Sequence, residues 1–272
     1  MSLRINTNVA ALTAYNNLSA NQSKLEDAFG QLSSGLRINK AADDASGLAI
    51  SQGLTSQING LTQAVSNAND ATNVAQIADG ALGTAQDVLQ RMRTLVVQAS
   101  NTGTQDTNSL SDIQAEITAL NGQLDTISSG TKFGQTSLLD GSYSGKVFQV
   151  GANATDSITL SLTKSDSTTL GTNSVDVTTG TPSSALATID TAIQTVSTSR
   201  ANIGATQNQL SYTLTNLQTA ITNVTASRSN LTDADLATEV TKMTQQQILT
   251  NAATSVLAQA NSAPQAILKL LQ

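Results

Sequence analysis

Residues 186–231 read LATIDTAIQTVSTSRANIGATQNQLSYTLTNLQTAITNVTASRSNL. Positions spaced alternately three and four residues apart in this stretch are mostly apolar. They are Leu186, Ile189, Ile193, Val196, Arg200, Ile203, Gln207, Leu210, Leu214, Leu217, Ile221, Val224, Arg228 and Leu231. Eleven of the fourteen are apolar, whereas a chain that is 39% hydrophobic would give five or six by chance. This period predicts one helix about 70 Å long, which Pro182-Ser183-Ser184 would start.

Two other stretches carry the same period. The first runs through Leu61, Val65, Ala68, Ala71, Ala75, Ala78, Leu82, Ala85, Leu89, Met92 and Val96, and the second through Ile113, Ile117, Leu120, Leu124 and Ile127. Asp43-Asp44 is typical of a helix start, and Ser109 followed by Asp112 resembles a capping box. Because such helices are unstable alone, a left-handed bundle is predicted, with helices at about 57–100, 107–129 and 184–231.

The middle of the chain has a different period. From about residue 137 to 181, apolar residues alternate with Ser and Thr, and glycines punctuate the runs. This pattern predicts β-hairpins joined by exposed turns. About 45 residues are too few for a separate core. The predicted fold class is therefore mainly α, a long-helix coiled-coil bundle with a small β-hairpin region and paired terminal helices.

Both ends of the chain are amphipathic. Residues 3–36 carry Leu18, Leu25 and Leu32 at seven-residue spacing, and the last 40 residues carry a matching seam. Two such helices can pair, but the pair would leave apolar surface exposed, which calls for other copies of the chain. The predicted self-assembly residues are Leu18, Leu25, Leu32, Leu249, Val256, Leu257, Ile267 and Leu270.

The composition excludes several kinds of chemistry. The chain has no His and no Cys, which excludes a Ser–His–Asp triad, a Cys–His pair and a zinc site of the usual ligands. Chemistry that uses carboxylates alone remains open, but no cluster of Asp and Glu has catalytic or calcium-loop spacing. We therefore predict that the chain is not an enzyme and binds no cofactor and no metal. A net charge of -6 disfavours nucleic acid. No stretch of eighteen apolar residues predicts a membrane span, and the N-terminus lacks the apolar region of a cleaved signal peptide. These features alone would suggest a cytoplasmic protein.

Short motifs near both ends of the chain resemble those of bacterial flagellins. At the N-terminal side they are RINTN (4–8), LSSGLRIN (32–39), DDASG (43–47), NAND (67–70), LQRMR (89–93) and IQAEI (113–117). At the C-terminal side they are ATEV (237–240), SVLAQAN (255–261) and PQAIL (264–268). Each motif is weak alone, but together they are specific, and the resemblance covers roughly 1–140 and 186–272.

The resemblance implies a structural subunit of the flagellar filament that self-assembles into a helical tube for swimming. It implies an inner core domain from residues 1–42 and 232–272, and an outer core domain from residues 43–231. It also implies export through the flagellar apparatus without a cleaved signal peptide, which overrides the cytoplasmic expectation. Besides other copies of the chain, the implied partners are the export apparatus, a flagellin chaperone, the filament cap and the hook-junction proteins.

Flagellins are also recognised by a host Toll-like receptor, and the matching positions are Arg91, Leu95 and Glu116. Arg91 and Leu95 share one helix face, and Leu95 lies beside the main seam, where a receptor or a partner helix could reach it. A solvated helix face is the plainer interpretation of the arginine. Thr94 departs from the family pattern, in which many members carry Glu.

Three alternatives stay open at this stage. A hook–filament junction protein has similar terminal helices, but the motifs near 89–101 and 113–117 favour flagellin. A chemoreceptor-like coiled coil would need a membrane span or a longer helical hairpin. Some flagellins carry a His-Glu-x-x-His insert like that of zinc proteases, which a chain without His cannot contain.

Overall fold

A computed structural model describes the backbone of residues 7–270 and the side chains of residues 7–262. Five helices dominate it: α1 (Val9–Ser34), α2 (Ala45–Ala99), α3 (Thr107–Gly130), α4 (Pro182–Thr232) and α5 (Leu236–Leu270). Two antiparallel hairpins pair β1 (Lys132–Phe133) with β2 (Thr136–Ser137), and β3 (Lys146–Gln149) with β4 (Ser157–Leu160). This confirms the predicted fold class. None of the described helices is apolar over a length that could cross a membrane.

The chain divides into two compact units. One comprises residues 57–222, and the other comprises the two ends of the chain, up to residue 56 and from residue 223 onward. Helices α2 and α4 each begin in one unit and end in the other. The domain boundaries implied by the resemblance, at residues 42 and 231, remain a prediction.

The helix starts differ in part from the sequence-based expectation. Helix α2 begins at Ala45 rather than near residue 57, and the Asp44 carboxylate accepts the Gly47 N–H at 2.8 Å. This confirms Asp43-Asp44 as a helix-start signal. The capping box at Ser109 is wrong, because Asp106 is the N-cap of α3 and accepts both the N–H and the hydroxyl of Ser109. An acidic residue three positions earlier satisfies the free N–H groups of the first turn.

The core of residues 57–222 lies where α2, α3 and α4 meet. Helix α2 contributes small residues together with Leu82, Leu89 and Met92, each at most 1% exposed. Ile117 and Leu124 of α3 and Ile189 of α4 are fully buried in the same cluster. A smaller cluster joins β3–β4 to the bundle through Ala68, Ala71, Val150, Ile158 and Leu210. The predicted periodicity therefore describes this bundle well.

The expectation of hairpins as far as residue 181 is wrong beyond Leu160. Residues 161–181 contain no strand but one 3-10 turn, Thr172–Ser174. The alternating apolar residues Leu162, Leu170, Val175 and Val177 are nevertheless buried in the main cluster. In part of this segment, side chains of α3 take the place of a neighbouring strand as hydrogen-bond partners.

Polar side chains of α3 make those hydrogen bonds. Gln114 donates to the Val175 carbonyl at 3.1 Å and accepts the Val177 N–H at 2.9 Å. Asn121 donates to the Thr172 carbonyl, and Asp125 accepts the Ser167 N–H at 2.9 Å. Because these four backbone groups are satisfied by side chains of α3, this part of the segment is held against the folded core.

Candidate assembly surface

The terminal helices α1 and α5 pair in an antiparallel arrangement, which contacts near each end of the pair define. Near the start of α1, Asn8 donates to the Ala260 carbonyl at 2.8 Å and also caps its own helix by accepting the Ala11 N–H. Beyond the other end of α1, the Arg37 N–H donates to the Thr232 carbonyl at 2.7 Å, just before α5 begins. These contacts fix one register along the whole pair.

The inner face of the pair follows the same three-and-four period on both helices. On α1 the less exposed residues are Ala11, Ala14, Leu18, Asn21, Leu25, Ala28 and Leu32. On α5 they are Glu239, Met243, Gln246, Thr250, Ala253, Leu257 and Ala260. Most of these residues are only half-buried, and several are small or polar. The sequence therefore specifies a helix pair, but one with a thin apolar seam.

The structure places the predicted assembly residues on two different surfaces. Leu18, Leu25, Leu32 and Leu257 lie on the inner face of the pair. Leu249 and Val256 lie outside it, with 40% and 58% of their surface exposed. The side chains of Ile267 and Leu270 lie outside the described residues.

The predicted seam of α5 is therefore right at Ala253 and Ala260 but wrong by one residue at Leu249 and Val256. The structure places Thr250 and Leu257 toward α1, rather than Leu249 and Val256. Helix α5 carries apolar residues on both sides, so their spacing is compatible with either side facing α1. Contacts with α1 decide which side faces inward, and the seven-residue pattern of α5 contains no information about those contacts.

The outer face of the pair exposes a run of large apolar side chains. On α1 these include Val9, Leu12, Tyr15 and Phe29, each more than half exposed. On α5 they are Leu236, Val240, Ile248, Leu249 and Val256. Val240, Thr244, Ile248 and Leu249 line a shallow groove on α5. Large apolar side chains exposed in this number on one helix pair favour an interface with another molecule.

Buried polar atoms weaken the pair from inside. Glu239 is 4% exposed; one of its carboxylate oxygens accepts from Lys242 at 2.7 Å, and the other has no hydrogen-bond partner. The buried Oε1 of Gln246 also has no partner, and the register places Asn21 at the same level of α1. An unsatisfied buried acceptor costs roughly 1–3 kcal/mol. These two unsatisfied acceptors therefore lower the stability of the α1–α5 pair.

The segment between α1 and α2 is held by local ionic contacts. Lys40 Nζ lies 2.7 Å from Asp27 Oδ1, and this hydrogen bond raises the pKa of the lysine. The Asp43 carboxylate accepts the N–H groups of Asn39 and Lys40, which lowers its pKa. The Arg37 guanidinium donates to the Leu231 carbonyl at 2.7 Å. Asp43 and Arg37, both from motifs quoted above, thus have structural roles here.

The three residues matched to receptor recognition do not form one exposed patch. Arg91 and Glu116 join α2 to α3 through an ion pair of 2.7 Å, and both side chains are about half exposed. Leu95 is 2% exposed and belongs to the core cluster that includes Ile113 and Ile117. Of the two alternatives for Leu95, a partner helix or a receptor, its burial in the core of the bundle therefore favours packing against a partner helix, and the folded chain does not offer it to a receptor.

The described residues contain no cluster of three or more Asp or Glu that could hold a metal ion. Several acidic residues instead cap helices and turns, and others form ion pairs. Asp235, for example, accepts the Ala237 N–H and the Thr238 hydroxyl at the start of α5, which lowers its pKa. The notable surface of the terminal unit is thus apolar rather than ionic.

Comparison with known proteins agrees with the motifs. A family model described as the bacterial flagellin N-terminal helical region matches residues 5–144, and one described as the bacterial flagellin C-terminal helical region matches residues 186–271. A flagellin of Bacillus subtilis (strain 168) is 42% identical, over 99% of this chain and 100% of that protein. A flagellin of Halalkalibacterium halodurans is 41% identical, over 98% and 99%. The crystal structure of Bacillus cereus flagellin superposes with a TM-score of 0.50 at 30% identity, covering 56% of this chain and 88% of that one.

Proposed function

The chain belongs to the bacterial flagellin family and is a structural subunit of the flagellar filament, and from this premise we propose that the outer face of its terminal helix pair makes the contacts between subunits. The filament is extracellular and serves motility, so this chain works by self-assembly outside the cell. The proposal assigns that task to the surface defined by Val9, Leu12, Tyr15 and Phe29 on α1 and by Val240, Ile248, Leu249 and Val256 on α5.

The main support for this proposal is that large apolar side chains of both terminal helices are exposed in the single chain. Val256 is 58% exposed, Ile248 62% and Leu12 58%, although all three are on helices that already have a partner. Burying one such side chain stabilises an interface by about 1.5–3 kcal/mol relative to leaving it in water. Repeated along two helices, this gain can offset the cost of the unsatisfied polar atoms inside the pair.

We infer a division of labour between two parts of the subunit. The terminal helices, within residues 1–42 and 232–272, form an inner core of the filament, and residues 43–231 form an outer core. Two observations support this: the chain separates into a terminal unit and a central unit, and the exposed apolar surface is concentrated on the terminal one. The central unit already buries its own apolar seam and can fold before assembly.

The remaining partners follow from membership of the family. We propose that the chain is exported through the flagellar apparatus without cleavage of a signal peptide, accompanied by a flagellin chaperone. The filament cap and the hook-junction proteins are the proposed contacts at the filament ends, and a host Toll-like receptor is a proposed external reader of Arg91 and Glu116. We also propose that the chain has no catalytic activity, as expected of a structural subunit.

The experiment is seeded polymerisation of purified subunits, followed by electron microscopy. Val256→Asp places a carboxylate in the proposed contact, where it would lose its water without gaining a partner. We expect this variant to stay monomeric while circular dichroism shows wild-type helicity. The matched control is Thr118→Asp, which adds the same charge at an exposed polar position of α3, outside the proposed surface. Normal filaments from Val256→Asp would contradict the proposed surface.

A further inference from the structure

Met243 is a half-buried methionine on the inner face of the α1–α5 pair. The chain has three methionines; Met92 is fully buried in the core of the central bundle, and Met1 lies outside the described residues. The hydrogen bonds that fix the register of the pair place Leu25 of α1 at the level of Met243. The side chain of Met243 therefore packs within the pair yet remains partly accessible, whereas that of Met92 is not accessible.

Two buried acceptors without hydrogen-bond partners flank Met243 on the same face of α5. Glu239 lies four residues before it and Gln246 lies three residues after it, and these spacings bring side chains together on one face of a helix. One carboxylate oxygen of Glu239 and the amide oxygen of Gln246 are buried and accept no hydrogen bond from the described residues. The nearby ammonium of Lys242 already donates to the other Glu239 oxygen, at 2.7 Å. Hydrogen-bond donors are therefore scarce around Met243.

Oxidation of this thioether would add a third acceptor at the same place. A hydroperoxide such as hydrogen peroxide transfers one oxygen atom to the sulfur: the S–O bond forms, the O–O bond breaks, and a proton transfer leaves water. The sulfur is oxidised by two electrons and the peroxide is reduced. The product is a sulfoxide, which converts a flexible apolar side chain into a polar one with an acceptor oxygen. Burying that oxygen without a donor opposes closure of the helix pair.

We propose that Met243 is a modification site at which a hydroperoxide stops assembly of the free subunit. The inference rests on the proposed function, in which the terminal helix pair makes the contacts between subunits. In the single chain, peroxide reaches Met243, and the sulfoxide oxygen then needs water that an assembled filament would exclude. In a filament, neighbouring subunits cover the pair and protect the thioether. Because enzymatic reduction returns a sulfoxide to the thioether, the modification is reversible.

The first measurement is the order in which the methionines of the monomer are oxidised. Monomer is treated with hydrogen peroxide and digested with a protease that cleaves before Asp, which places Met1, Met92 and Met243 in three different peptides. We expect Met243 to be oxidised well before Met92, because Met92 is 0% exposed and Met243 is half-buried. In preassembled filaments the oxidation of Met243 should be at least about tenfold slower, as expected for a site that local opening exposes. Equally fast oxidation of Met92 and Met243 in folded monomer would overturn the proposal.

The second measurement is seeded polymerisation of the treated subunits. Peroxide should raise the subunit concentration needed for filament growth at least about tenfold, the ratio expected when one buried acceptor lacks a partner. Met243→Leu keeps a similar volume without an oxidisable sulfur, so the assembly of this variant should resist peroxide. Met92→Leu is the matched control, and its assembly should stay as sensitive to peroxide as that of wild type. Equal loss of assembly in wild type and Met243→Leu would overturn the proposal.

A reversal experiment decides the case in which Met243→Leu does not assemble even without peroxide. Oxidised wild-type subunits are treated with the two methionine sulfoxide reductases, one for each sulfoxide epimer. We expect filament growth to return as the peptide that contains Met243 is reduced. Filament growth that stays lost after full reduction of Met243 would overturn the proposal.

The same proteins separate this inference from the proposed function. Failure of untreated wild-type subunits to polymerise would contradict the assembly surface, whereas amide exchange on monomer would still test the effect of oxidation. Exchange in residues 236–262 should be faster after oxidation of Met243 than before it, because the sulfoxide favours the open pair. Normal filaments from subunits that are fully oxidised at Met243 would reject the modification site and leave the assembly surface standing.

Discussion

The central bundle and the terminal helix pair share one periodicity but differ in how much they bury. In residues 57–222, Leu82, Leu89 and Ile117 are at most 1% exposed. In the terminal unit, the described part of the α1–α5 seam has Ala14 and Ala28 as its buried apolar residues, while its leucines are half-buried. The contrast teaches that a heptad pattern specifies a helix and its seam, whereas burial depends on how many elements meet there. A half-buried seam such as that of the terminal pair leaves apolar surface available for contacts with other subunits.

The largest expected difference between the two regions is their protection in the monomer. We expect amides in 9–34 and 236–262 to exchange at least about a hundredfold faster than those around Leu89 and Ile117, because local opening of a weak pair precedes global unfolding. Hydrogen exchange with mass spectrometry on monomer measures this. In assembled filaments the terminal segments should become protected, as expected of folding coupled to binding. Equal protection of the two regions in monomer would remove the distinction.

Truncating one leucine in each region tests the same contrast energetically. Leu89→Ala leaves a cavity in a closely packed core and should cost about 2–5 kcal/mol of unfolding free energy. Leu25→Ala on α1 removes a half-buried side chain from the terminal pair. We expect it to leave the Tm of monomer unchanged and to lower filament stability instead. Thermal unfolding followed by circular dichroism compares the variants, and similar Tm losses for both would show that the pair belongs to the cooperative unit.

A smaller effect should come from the hydrogen bonds between α3 and the segment 161–181. Gln114→Ala leaves the Val175 carbonyl and the Val177 N–H without their partner, which should cost roughly 1–3 kcal/mol. Thr118→Ala, on the exposed face of the same helix, is the control and should cost little. Urea unfolding of the monomer measures both. A neutral Gln114→Ala would show that the segment is held by its apolar residues alone.

Much of the fold could be predicted from the sequence because helical periodicity records burial directly. The seams through Leu82 and Leu89, through Ile117 and through Ile189 correspond to buried residues of α2, α3 and α4. The alternation of Val175 and Val177 wrongly predicted a strand. Those residues are buried in a segment without strands, where Gln114 hydrogen-bonds their backbone. No local pattern records a hydrogen bond across about 60 residues of chain.

The sequence predicts that both terminal helices carry the candidate surface, but it does not predict which side of α5 faces α1. Exposure of apolar residues on both terminal helices follows from their amphipathic patterns. Whether Val256 or Leu257 faces the partner helix depends on the register of the pair, which Asn8 and Arg37 fix from outside the seam. For Leu95 the sequence left open a receptor or a partner helix, and only its burial in the folded bundle decides between them. An amino-acid sequence therefore predicts which residues form the apolar stripe of a helix more reliably than it predicts which element packs against that stripe.

The smallest expected effect on stability, and the sharpest on recognition, concerns Arg91. Its ion pair with Glu116 is exposed on both sides, so Arg91→Ala should change the unfolding free energy by about 0–1 kcal/mol. The residue sits on the well-packed central unit, which presents it in fixed geometry before assembly. If a Toll-like receptor reads this surface, Arg91→Ala monomer should activate a receptor reporter less than wild type at equal helicity.

Arg93→Ala is the matched control, because Arg93 has a similar exposure but pairs with Asp190 of α4. Leu95→Ala cannot serve as a probe, since Leu95 is buried and its truncation would weaken the core. Equal losses in Arg91→Ala and Arg93→Ala would indicate a general charge effect, and no loss in either would leave Arg91 a structural role only.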